Sequence, residues 1–510
     1  MVIPMGSLCT RNAFSVESMR LLDELAAHAL EISSYQLMER AGVAALEVLK
    51  VNWPDARKLL VFCGTGNNGG DGWIVARCAI EQGLDCEVFL LGSADKISGP
   101  ALSAFESWQD VSGQIPRDAA EFSGRTSAKE CPREVIVDAL VGIGLRANQR
   151  PELTSLIEQL NRDPAPIFAL DCPSGLHAGT GARAQATIEA TATVTFIAHK
   201  PGLLTGAAVD SVGTLELATL GVPQSVLAAI APSARLLRSE DMKSVGLKRR
   251  QPASHKGHFG RILVLGGNLG MGGAAILSAQ GALRAGAGLV TLATRDAHVS
   301  AVLARQPEVM VRGVGRAADL KEAVRSADVI VVGPGLGQDE WATMCLGAAL
   351  DSDAMLVCDA DALTLISGMD WHIHARPVVL TPHPGEAARL LRCSVRDIEQ
   401  DRLSAVKTLA QTFSATVVLK GAGSLIASSD PDRPPEICLA GNPGMATGGM
   451  GDVLAGVIAG LLGQNVAADN AAVLGVLVHA CAADQAYGQQ GVGLLPSDVL
   501  ALIGGALTQD

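Results

Sequence analysis

The chain reads Asn442-Pro443-Gly444-Met445-Ala446-Thr447-Gly448-Gly449-Met450-Gly451-Asp452 and continues as Val453-Leu454-Ala455-Gly456-Val457-Ile458-Ala459-Gly460-Leu461-Leu462-Gly463. This glycine-rich loop leads directly into an apolar helix. At such a helix start, unpaired backbone N–H groups and the positive end of the helix dipole lie together, here beside the Asp452 carboxylate. The pattern predicts an anion site with a general base next to it. A second interpretation is that Asp452 only caps its helix, a use worth about 1 kcal/mol.

Several apolar runs before this helix have the length and composition of buried β-strands, and each ends in a turn rich in glycine or polar residues. They are residues 261–265, 289–293, 329–332, 355–358, 378–380 and 416–419. A small-residue helix is predicted between the first two, over residues 275–286. Strands separated by helices are typical of a mostly parallel sheet, with the site along one edge. We therefore predict a three-layer α/β/α domain for the second half of the chain.

The first half predicts a second α/β domain. A buried strand over residues 58–63 meets the loop Gly64-Thr65-Gly66-Asn67-Asn68-Gly69-Gly70-Asp71-Gly72, with a helix from Trp73 and a further strand over residues 86–91. The glycines satisfy the GxGxxG pattern, so a nicotinamide dehydrogenase with Asp95 on the ribose is one alternative. However, Asn67, Asn68 and Asp71 interrupt the glycines, and their oxygen atoms suit a monovalent cation or a polar ring better. A plain Asn/Gly turn is the structural alternative.

Two more predicted strands of this half end in acids. Asp138 closes the strand that begins at Glu134, and Asp171 closes the strand over residues 166–171. The carboxyl ends of parallel strands line the ligand crevice of an open sheet. We therefore expect both carboxylates near the Asn67–Asp71 loop, although either acid alone suits a helix cap. Residues 11–50 are predicted to form packing helices, and residues 193–198 and 214–217 further strands.

A length of 510 residues predicts two domains. The segment between Pro223 and Pro252 has no regular apolar pattern and is basic. Its Lys248-Arg249-Arg250 cluster suits a solvated linker better than a phosphate contact. We place the boundary there, giving domains of residues 1–235 and 236–510, the first Rossmann-like.

Composition excludes several classes of function. The net charge of −12 disfavours nonspecific nucleic-acid binding. The longest apolar run, residues 453–463, is too short to span a membrane, and no export signal is evident, so we expect a cytoplasmic protein. Eleven scattered cysteines without a CxxC pair indicate reduced thiols. We predict that His372 and His374 are surface residues. The sequence contains no Walker loop, HExxH helix or GxSxG elbow.

At the level of motifs, both halves are similar to known families. Residues 255–510 resemble the ribokinase-like ADP-dependent NAD(P)H-hydrate dehydratases, and residues 11–222 resemble the NAD(P)H-hydrate epimerases. The dehydratase motifs are His255-Lys256-Gly257, Gly333-Pro334-Gly335-Leu336-Gly337, Thr381-Pro382-His383-Pro384-Gly385-Glu386, Lys420-Gly421-Ala422-Gly423-Ser424 and Thr447-Gly448-Gly449-Met450-Gly451-Asp452. The epimerase motifs are Asn67-Asn68-Gly69-Gly70-Asp71-Gly72, Val137-Asp138-Ala139-Leu140 and Asp171-Cys172-Pro173-Ser174-Gly175-Leu176. The arrangement resembles a bifunctional NAD(P)H-hydrate repair enzyme.

In the first domain the resemblance implies a substrate site, a potassium site and a proton-handling group, Asp171. The implied substrate residues are Asn67, Asn68, Gly69, Gly70, Asp71, Gly142, Ile143, Gly144, Leu145, Arg146, Ala147, Asn148 and Asp171. The implied potassium ligands are Asn68, Asp138 and Ser174.

In the second domain the resemblance implies Asp452 as the catalytic base, with ADP and Mg²⁺ as partners in the reaction. The implied substrate residues are Ala274, Gly337, His383 and Asp452, with Ala275 and Gly335 as neighbouring choices. The implied nucleotide residues are Lys420, Gly421, Ala422, Gly423, Ser424 and Gly451. The implied chemistry phosphorylates the ring hydroxyl of hydrated NADH or NADPH and then eliminates phosphate.

Two rival functions stay open at this point. One is a small-alcohol kinase of the ribokinase-like fold, and the other is a first domain that binds ligand without catalysis. The substrates implied are small molecules, with no nucleic acid or membrane as partner, and a homo-oligomer is left open.

Overall fold

The computed structural model describes residues 11–124, 133–144, 149–244, 247, 250–369 and 376–508. It divides into two compact units, Met1–Arg235 and Leu236–Asp510. Some residues singled out in the sequence lie outside the described residues. They are Leu145, Arg146, Ala147, Asn148, Lys248, Arg249, His372 and His374.

The first unit is a parallel sheet with helices on both faces. The strands of this sheet are β2 (Lys58–Cys63), β3 (Asp85–Leu90), β4 (Arg117–Asp118), β5 (Glu134–Ala139), β6 (Ile167–Leu170), β7 (Ala192–Phe196) and β8 (Thr214–Ala218). Two further short strands, β1 (Asn12–Ala13) and β9 (Ala234–Leu237), pair with each other in antiparallel fashion. Its helices are α1 (Val16–Ala29), α2 (Ser34–Asn52), α3 (Asn67–Glu81), α4 (Pro100–Ser112), α5 (Pro151–Arg162), α6 (Val209–Val212) and α7 (Gln224–Ala228). The main sheet has the order β4-β3-β2-β5-β6-β7-β8, with every pairing parallel.

The two faces of this sheet bury two separate cores. Val61 and Val137 pack on one side with side chains of α1 to α4, whereas Phe62 and Ile136 pack on the other with side chains of α5. Successive side chains of a strand point to opposite faces, so apolar runs without alternation are what a sheet covered on both faces requires. The Rossmann-like, three-layer prediction is confirmed.

The second unit has the same layered design around a larger, mixed sheet. Its strands are β10 (Arg261–Leu265), β11 (Leu289–Thr294), β12 (Met310–Gly313), β13 (Val329–Val332), β14 (Met355–Cys358), β15 (Val378–Leu380), β16 (Thr416–Leu419), β17 (Ser424–Ala427) and β18 (Glu436–Cys438). Its helices are α8 (Gly272–Arg284), α9 (Val299–Arg305), α10 (Ala317–Ser326), α11 (Glu340–Leu350), α12 (Asp361–Ile366), α13 (Pro384–Leu391), α14 (Val395–Gln400), α15 (Arg402–Phe413), α16 (Met450–Leu462), α17 (Ala468–Gln490) and α18 (Pro496–Thr508).

Strand order in this unit runs β18-β17-β16-β15-β14-β13-β10-β11-β12. The pairings from β12 to β16 are parallel, and those of β16 with β17 and β17 with β18 are antiparallel. The carboxyl ends of β10, β13, β14, β15 and β16 therefore meet at one edge, where the sequence places its glycine-rich and acidic turns.

Two helix starts differ from the sequence prediction. The helix after β2 begins at Asn67, with Gly66 as its N-cap, instead of at Trp73. Gly69, Gly70 and Gly72 are thus inside a helix, and the prediction that the stretch up to Gly72 is a loop is wrong from Asn67 onward. The helix α8 likewise begins at Gly272, before the predicted start. In both cases the sequence predicts a loop because glycine is a poor helix former, while tertiary packing holds these glycines in the helix.

Helix α16 packs unusually close to α8 because its glycines face that helix. A Cβ atom on Gly456 would lie 1.9 Å from the Ser278 carbonyl oxygen, and one on Gly460 would lie 2.6 Å from the Ala282 carbonyl oxygen. Small residues at these positions allow the backbones to approach. Among the described residues, none of the helices is both long and apolar enough to cross a membrane.

Replacing Gly456 by alanine should therefore destabilise the second unit by about 1–3 kcal/mol, since the new methyl group overlaps backbone atoms of α8. The matched control is Gly347→Ala in α11, where nothing lies within 4 Å of the added Cβ atom. The control should stabilise by up to about 1 kcal/mol through helix propensity. Urea unfolding of both variants measures the difference, and equal effects would contradict the packing argument.

Candidate functional sites

A cavity of about 1320 Å³ opens at the carboxyl edge of the first unit's sheet. It collects most of the residues predicted for this domain. Those lining it are Asn67, Asn68, Asp71, Gly142, Ile143, Gly144 and Asp171. Gly69 and Gly70 instead serve packing, because a Cβ atom on Gly69 would lie 2.0 Å from the Gly64 carbonyl oxygen and one on Gly70 would lie 2.4 Å from Met38 Sδ.

Asp171 forms an ion pair with the buried ammonium group of Lys200, a residue not predicted from the sequence. Lys200 Nζ lies 2.5 Å from Asp171 Oδ1 and also donates to Thr195 Oγ1 at 2.8 Å. The Lys200 side chain is 1% exposed and that of Asp171 is 13% exposed. Asp171 adopts a left-handed backbone conformation with φ +64°, which is strained for a residue with a side chain. Strain at a buried charge pair is characteristic of a functional position.

Two further carboxyl groups lie near this pair. Burial, with added repulsion from Asp171 and Asp23, raises the pKa of Asp71 well above its usual range. Asp23, on α1, also lines the cavity, and desolvation together with the Asp171 carboxylate raises its pKa to about 6. The Lys200 ammonium lowers both pKa values, but burial and the repulsion from Asp171 outweigh it, so the pKa values of Asp71 and Asp23 stay raised.

Two of the three residues implied as potassium ligands are in contact, and the third lies near the turn that follows Asp138. Asp138 is fully buried and accepts hydrogen bonds from Ser174 Oγ at 2.6 Å and Ser174 N at 2.8 Å. Ser174 Oγ accepts from Val141 N at 2.9 Å, and a Cβ atom on the next residue, Gly142, would lie 3.4 Å from Asn68 Oδ1. Asn68 is buried, yet its Oδ1 and Nδ2 have no hydrogen-bond partner among the described residues. A buried amide oxygen without a hydrogen-bond partner fits a ligand to a hard monovalent cation.

The second site surrounds Lys420, at the end of β16. Its ammonium lies 2.6 Å from Asp359 Oδ1, at the end of β14, and 3.8 Å from Glu386 Oε2, in α13. Thr381 Oγ1 donates to the same Asp359 oxygen at 2.7 Å. Burial would lower the pKa of Lys420, but the Asp359 and Glu386 carboxylates outweigh it and the pKa is raised. The lysine is thus a fixed positive charge in an acidic surround.

Asp452 stands at the third position of α16, one residue beyond Gly451. A Cβ atom on Gly451 would lie 3.1 Å from Lys420 Nζ, so the start of the helix lies against the lysine. The N-cap is Gly449, with φ +98° and no side-chain capping bond, so the N-cap interpretation of Asp452 is wrong. Burial, with repulsion from Asp359 opposed by Lys420, raises the pKa of Asp452 to about 7. That value suits a general base near neutral pH.

The loop after β13 lies beside the start of α8. Gly337 N donates to Asp361 Oδ2 at 2.8 Å, and Gly337 has φ +75°. A Cβ atom on Gly335 would lie 3.2 Å from the Ala274 Cβ atom. Of the two neighbouring choices on α8, Ala274 is partly exposed and Ala275 is fully buried.

His383 has a structural role as well as the predicted binding role. It caps α13: its Nδ1 accepts from Gly385 N at 3.0 Å, and Glu386 Oε2 accepts from His383 N at 2.8 Å. Burial and the nearby Lys420 ammonium lower the pKa of His383. The second ring nitrogen, Nε2, lies 3.3 Å from Glu386 Oε1, so both nitrogens of the imidazole have partners in α13.

The predicted nucleotide turn, residues 420–424, rests on a buried arginine. Arg402 is 1% exposed, and its Nη2 donates to the carbonyl oxygen of Lys420 at 3.1 Å. A Cβ atom on Gly421 would lie 2.8 Å from this guanidinium, and Gly421 has φ +143°. Ala422 is exposed, Gly423 is partly exposed, and the turn leads into β17 at Ser424. Arg402 thus fixes the backbone that carries the lysine.

Several residues of the two sites were not named as candidates from the sequence. They are Asp23 and Lys200 in the first unit and Asp359, Asp361, Glu386 and Arg402 in the second. Asp359 and Asp361 follow a buried strand at its carboxyl end, as Asp138 and Asp171 do, and that signal could have identified them. Lys200, in the turn after β7, carries the same signal, whereas Asp23, on α1, carries none.

Two family models match the chain. One is described as NAD(P)H-hydrate dehydratase and matches residues 262–504, and the other is described as YjeF-related protein N-terminus and matches residues 34–202. The bifunctional NAD(P)H-hydrate repair enzyme of Escherichia coli K12 is 44% identical over 479 residues, covering 94% of this chain and 90% of that protein. Its counterpart from Coxiella burnetii is 41% identical over 492 residues, covering 94% and 96%. The structure of a ribokinase-like superfamily protein from Enterococcus faecalis V583 superposes with a TM-score of 0.50 at 32% identity. The match covers 55% of this chain and 96% of that one.

The Lys200–Asp171 pair yields a stability prediction. Asp171→Asn leaves a buried ammonium without its counter-charge and should cost the first unit about 3–5 kcal/mol. Adding Lys200→Met, which removes the stranded charge, should recover most of that loss. Thermal unfolding of the single and double variants measures the coupling, and additive losses would contradict the pairing.

Proposed function

The chain belongs to the family of bifunctional NAD(P)H-hydrate repair enzymes, and we propose that its two units divide the repair of hydrated NADH and NADPH between them. The first unit interconverts the R and S epimers of the hydrate. The second unit dehydrates the S epimer at the expense of ADP and releases NAD(P)H, AMP and phosphate. The observation that supports this most strongly is the 44% identity to a bifunctional repair enzyme over 94% of the chain.

In the second unit, Asp452 is the base for phosphoryl transfer. Its carboxylate takes the proton from the ring hydroxyl of the hydrate, and the hydroxyl oxygen attacks the terminal phosphorus of ADP. Backbone N–H groups at the start of α16 and the Lys420 ammonium stabilise the negative charge that develops on the transferred group. The pairing of Lys420 with Asp359 at 2.6 Å supports this role, because it holds the ammonium beside the helix start.

Elimination then completes the dehydration. Hydroxide is a poor leaving group, whereas phosphate is a good one, so the lone pair of the ring nitrogen can expel it and a ring proton is lost to restore the double bond. The residues proposed to hold the hydrate are Ala274, Gly337, His383 and Asp452. The turn of residues 420–424 and Gly451 are proposed to hold ADP.

Magnesium is proposed to enter with the nucleotide. Among the described residues no group of three or more histidine, cysteine, aspartate or glutamate side chains could hold a metal ion by itself. Mg²⁺ is commonly bound by one or two carboxylates together with substrate phosphates, where it neutralises phosphate charge. Asp359 and Glu386 are the carboxylates beside Lys420 that could contribute.

In the first unit, the cavity is proposed to hold the hydrated ring, with Asp171 handling the proton at the hydroxyl-bearing carbon. The ion pair with Lys200 keeps Asp171 in one orientation. Asn68, Asp138 and Ser174 are proposed to bind K⁺, whose positive charge would favour an ordered turn around Gly142. The unsatisfied amide oxygen of Asn68 supports this assignment.

A direct test mixes the protein with both hydrate epimers, Mg²⁺, K⁺ and either ADP or ATP, and follows the near-UV absorbance of reduced nicotinamide. Full recovery of both epimers with ADP supports the proposal. Recovery of only half would mean that the first unit binds without catalysing, and no recovery with either nucleotide would overturn the function. Phosphorylation of vitamin-precursor alcohols in a parallel panel would favour the kinase alternative.

Asp452→Asn should reduce the dehydration rate by about 10²–10⁴-fold, as expected when a general base is removed. For the unaltered protein, the rate should rise with pH through about 7, because only the ionised Asp452 accepts a proton. The variant should lose this dependence. The control is Asp498→Asn, which alters a first-turn aspartate of α18 that bonds Leu495 N at 2.9 Å. A pH profile unchanged in the Asp452 variant would exclude it as the base.

Asn68→Ala should raise the K⁺ concentration that epimerisation requires by at least tenfold, because one oxygen ligand is lost. Choline chloride keeps the ionic strength constant, and dehydration of the pure S epimer by the same variant serves as the control. If Asn68→Ala and the unaltered protein require the same K⁺ concentration, the ion is not bound there.

A further inference from the structure

One wall of the first unit's cavity comes from α1, a helix for which the sequence predicts only packing. Met19, Arg20, Asp23 and Glu24 line the cavity from this helix. Residues four apart lie on the same side of a helix, so Met19 with Asp23 and Arg20 with Glu24 form two adjacent rows on the cavity side of α1. Met19 also belongs to the buried core, together with Leu22 and Ala26. Asp23 is an exposed residue, and it lines the cavity that also contains Asp171.

The charged groups around Asp23 come from four elements. Asp171 follows β6, Lys200 follows β7, Asp71 is in α3, and Arg20 and Glu24 line the cavity from α1 with Asp23. Lys200 is already paired with Asp171 at 2.5 Å. Burial raises the pKa of Asp71 well above its usual range, which favours its neutral form. Asp23 and Asp171 reach the cavity from two different elements, α1 and the end of β6.

The reaction itself requires two such groups. Interconverting epimers at the hydroxyl-bearing carbon means removing the hydroxyl from one face of the ring and returning it to the other. A group on one wall must supply a proton as water leaves, and a group on another wall must accept a proton as water adds. Asp171 alone reaches from one wall only, since it sits at the end of β6.

Resting on the epimerase function proposed above, we propose that Asp23 is the second catalytic residue of the first unit, exchanging a proton with the ring hydroxyl from a different wall than Asp171. In one direction, Asp23 protonates the hydroxyl, the C–O bond breaks, and the lone pair of the ring nitrogen forms a C=N bond. Water then adds to the other face, the C=N electrons return to nitrogen, and Asp171 takes the proton of that water. Solvent returns the proton from Asp171 to Asp23 before the next turnover in the same direction. The reverse direction exchanges the two roles, and no oxidant or reductant is needed.

This arrangement fixes the pH dependence. The active enzyme carries one proton on the Asp23–Asp171 pair, whichever direction is followed. Losing that proton stops the reaction in both directions, so kcat/KM should fall as the pH rises above the pKa of Asp23, which is raised to about 6. The ratio of the forward and reverse values stays constant, because the equilibrium between the epimers involves no proton.

The test uses the full chain and measures approach to equilibrium from each pure epimer by chromatography. We expect Asp23→Asn to lower kcat by at least 100-fold with little change in KM and to lose the fall in kcat/KM above pH 6. Asp23→Glu, which keeps the carboxyl group, should recover part of the rate and the pH dependence. The matched control is Glu17→Gln, on the same helix but exposed and outside the cavity lining, and it should retain both.

The outcomes separate this inference from the function on which it rests. An unaltered protein that does not accelerate epimerisation overturns the epimerase function. An active unaltered protein with an Asp23→Asn variant within twofold of it, and with the same pH profile, overturns the role of Asp23 alone. If Asp23→Asn unfolds, Asp23→Glu decides: wild-type melting temperature with a reduced rate and a shifted pH limb supports the role, whereas an unchanged rate and profile contradict it.

Discussion

A half-buried ammonium group facing several carboxylates is the interaction on which the second site depends. Lys420 is held 2.6 Å from Asp359 and 3.8 Å from Glu386, and Asp452 lies in the first turn of the helix that begins beside it. One positive charge cannot neutralise three carboxylates in a desolvated space, so the group with the least compensation retains its proton most readily. That group is Asp452, whose pKa is raised to about 7. This charge imbalance is unfavourable for the free energy of folding, but it also raises the pKa of Asp452 and so makes it suitable as a base.

The first unit uses the same principle with different partners. Lys200 compensates Asp171, which leaves Asp71 and Asp23 with raised pKa values. In both units the lysine and the acids stand at or near the carboxyl ends of parallel strands, because that edge brings together residues that are far apart in the chain. A parallel sheet is therefore what permits a single ammonium to meet carboxylates from separate strand–helix units.

Much of the architecture could be predicted from the sequence, because buried strands leave a local signal. Strands β2, β10, β13 and β16 have the predicted bounds, since each is a short apolar run closed by a turn. The helix start at Asn67 could not be predicted from the sequence, because asparagine and glycine favour turns locally. Packing against Gly64 and Met38 holds this segment in a helix. Lys200 and Asp23 were missed for a related reason: their partners are distant in sequence, so composition alone does not separate them from ordinary surface or core residues.

The central claim is that the ring hydroxyl is phosphorylated and leaves as part of phosphate. The most direct measurement starts from S hydrate carrying ¹⁸O in that hydroxyl and follows the label by ³¹P NMR during ADP-dependent dehydration. If phosphoryl transfer precedes elimination, the released inorganic phosphate carries the ¹⁸O, with one labelled phosphate formed for each NAD(P)H. Unlabelled phosphate, with the ¹⁸O recovered in water, would mean that the nucleotide is hydrolysed beside the reaction and would contradict the central claim.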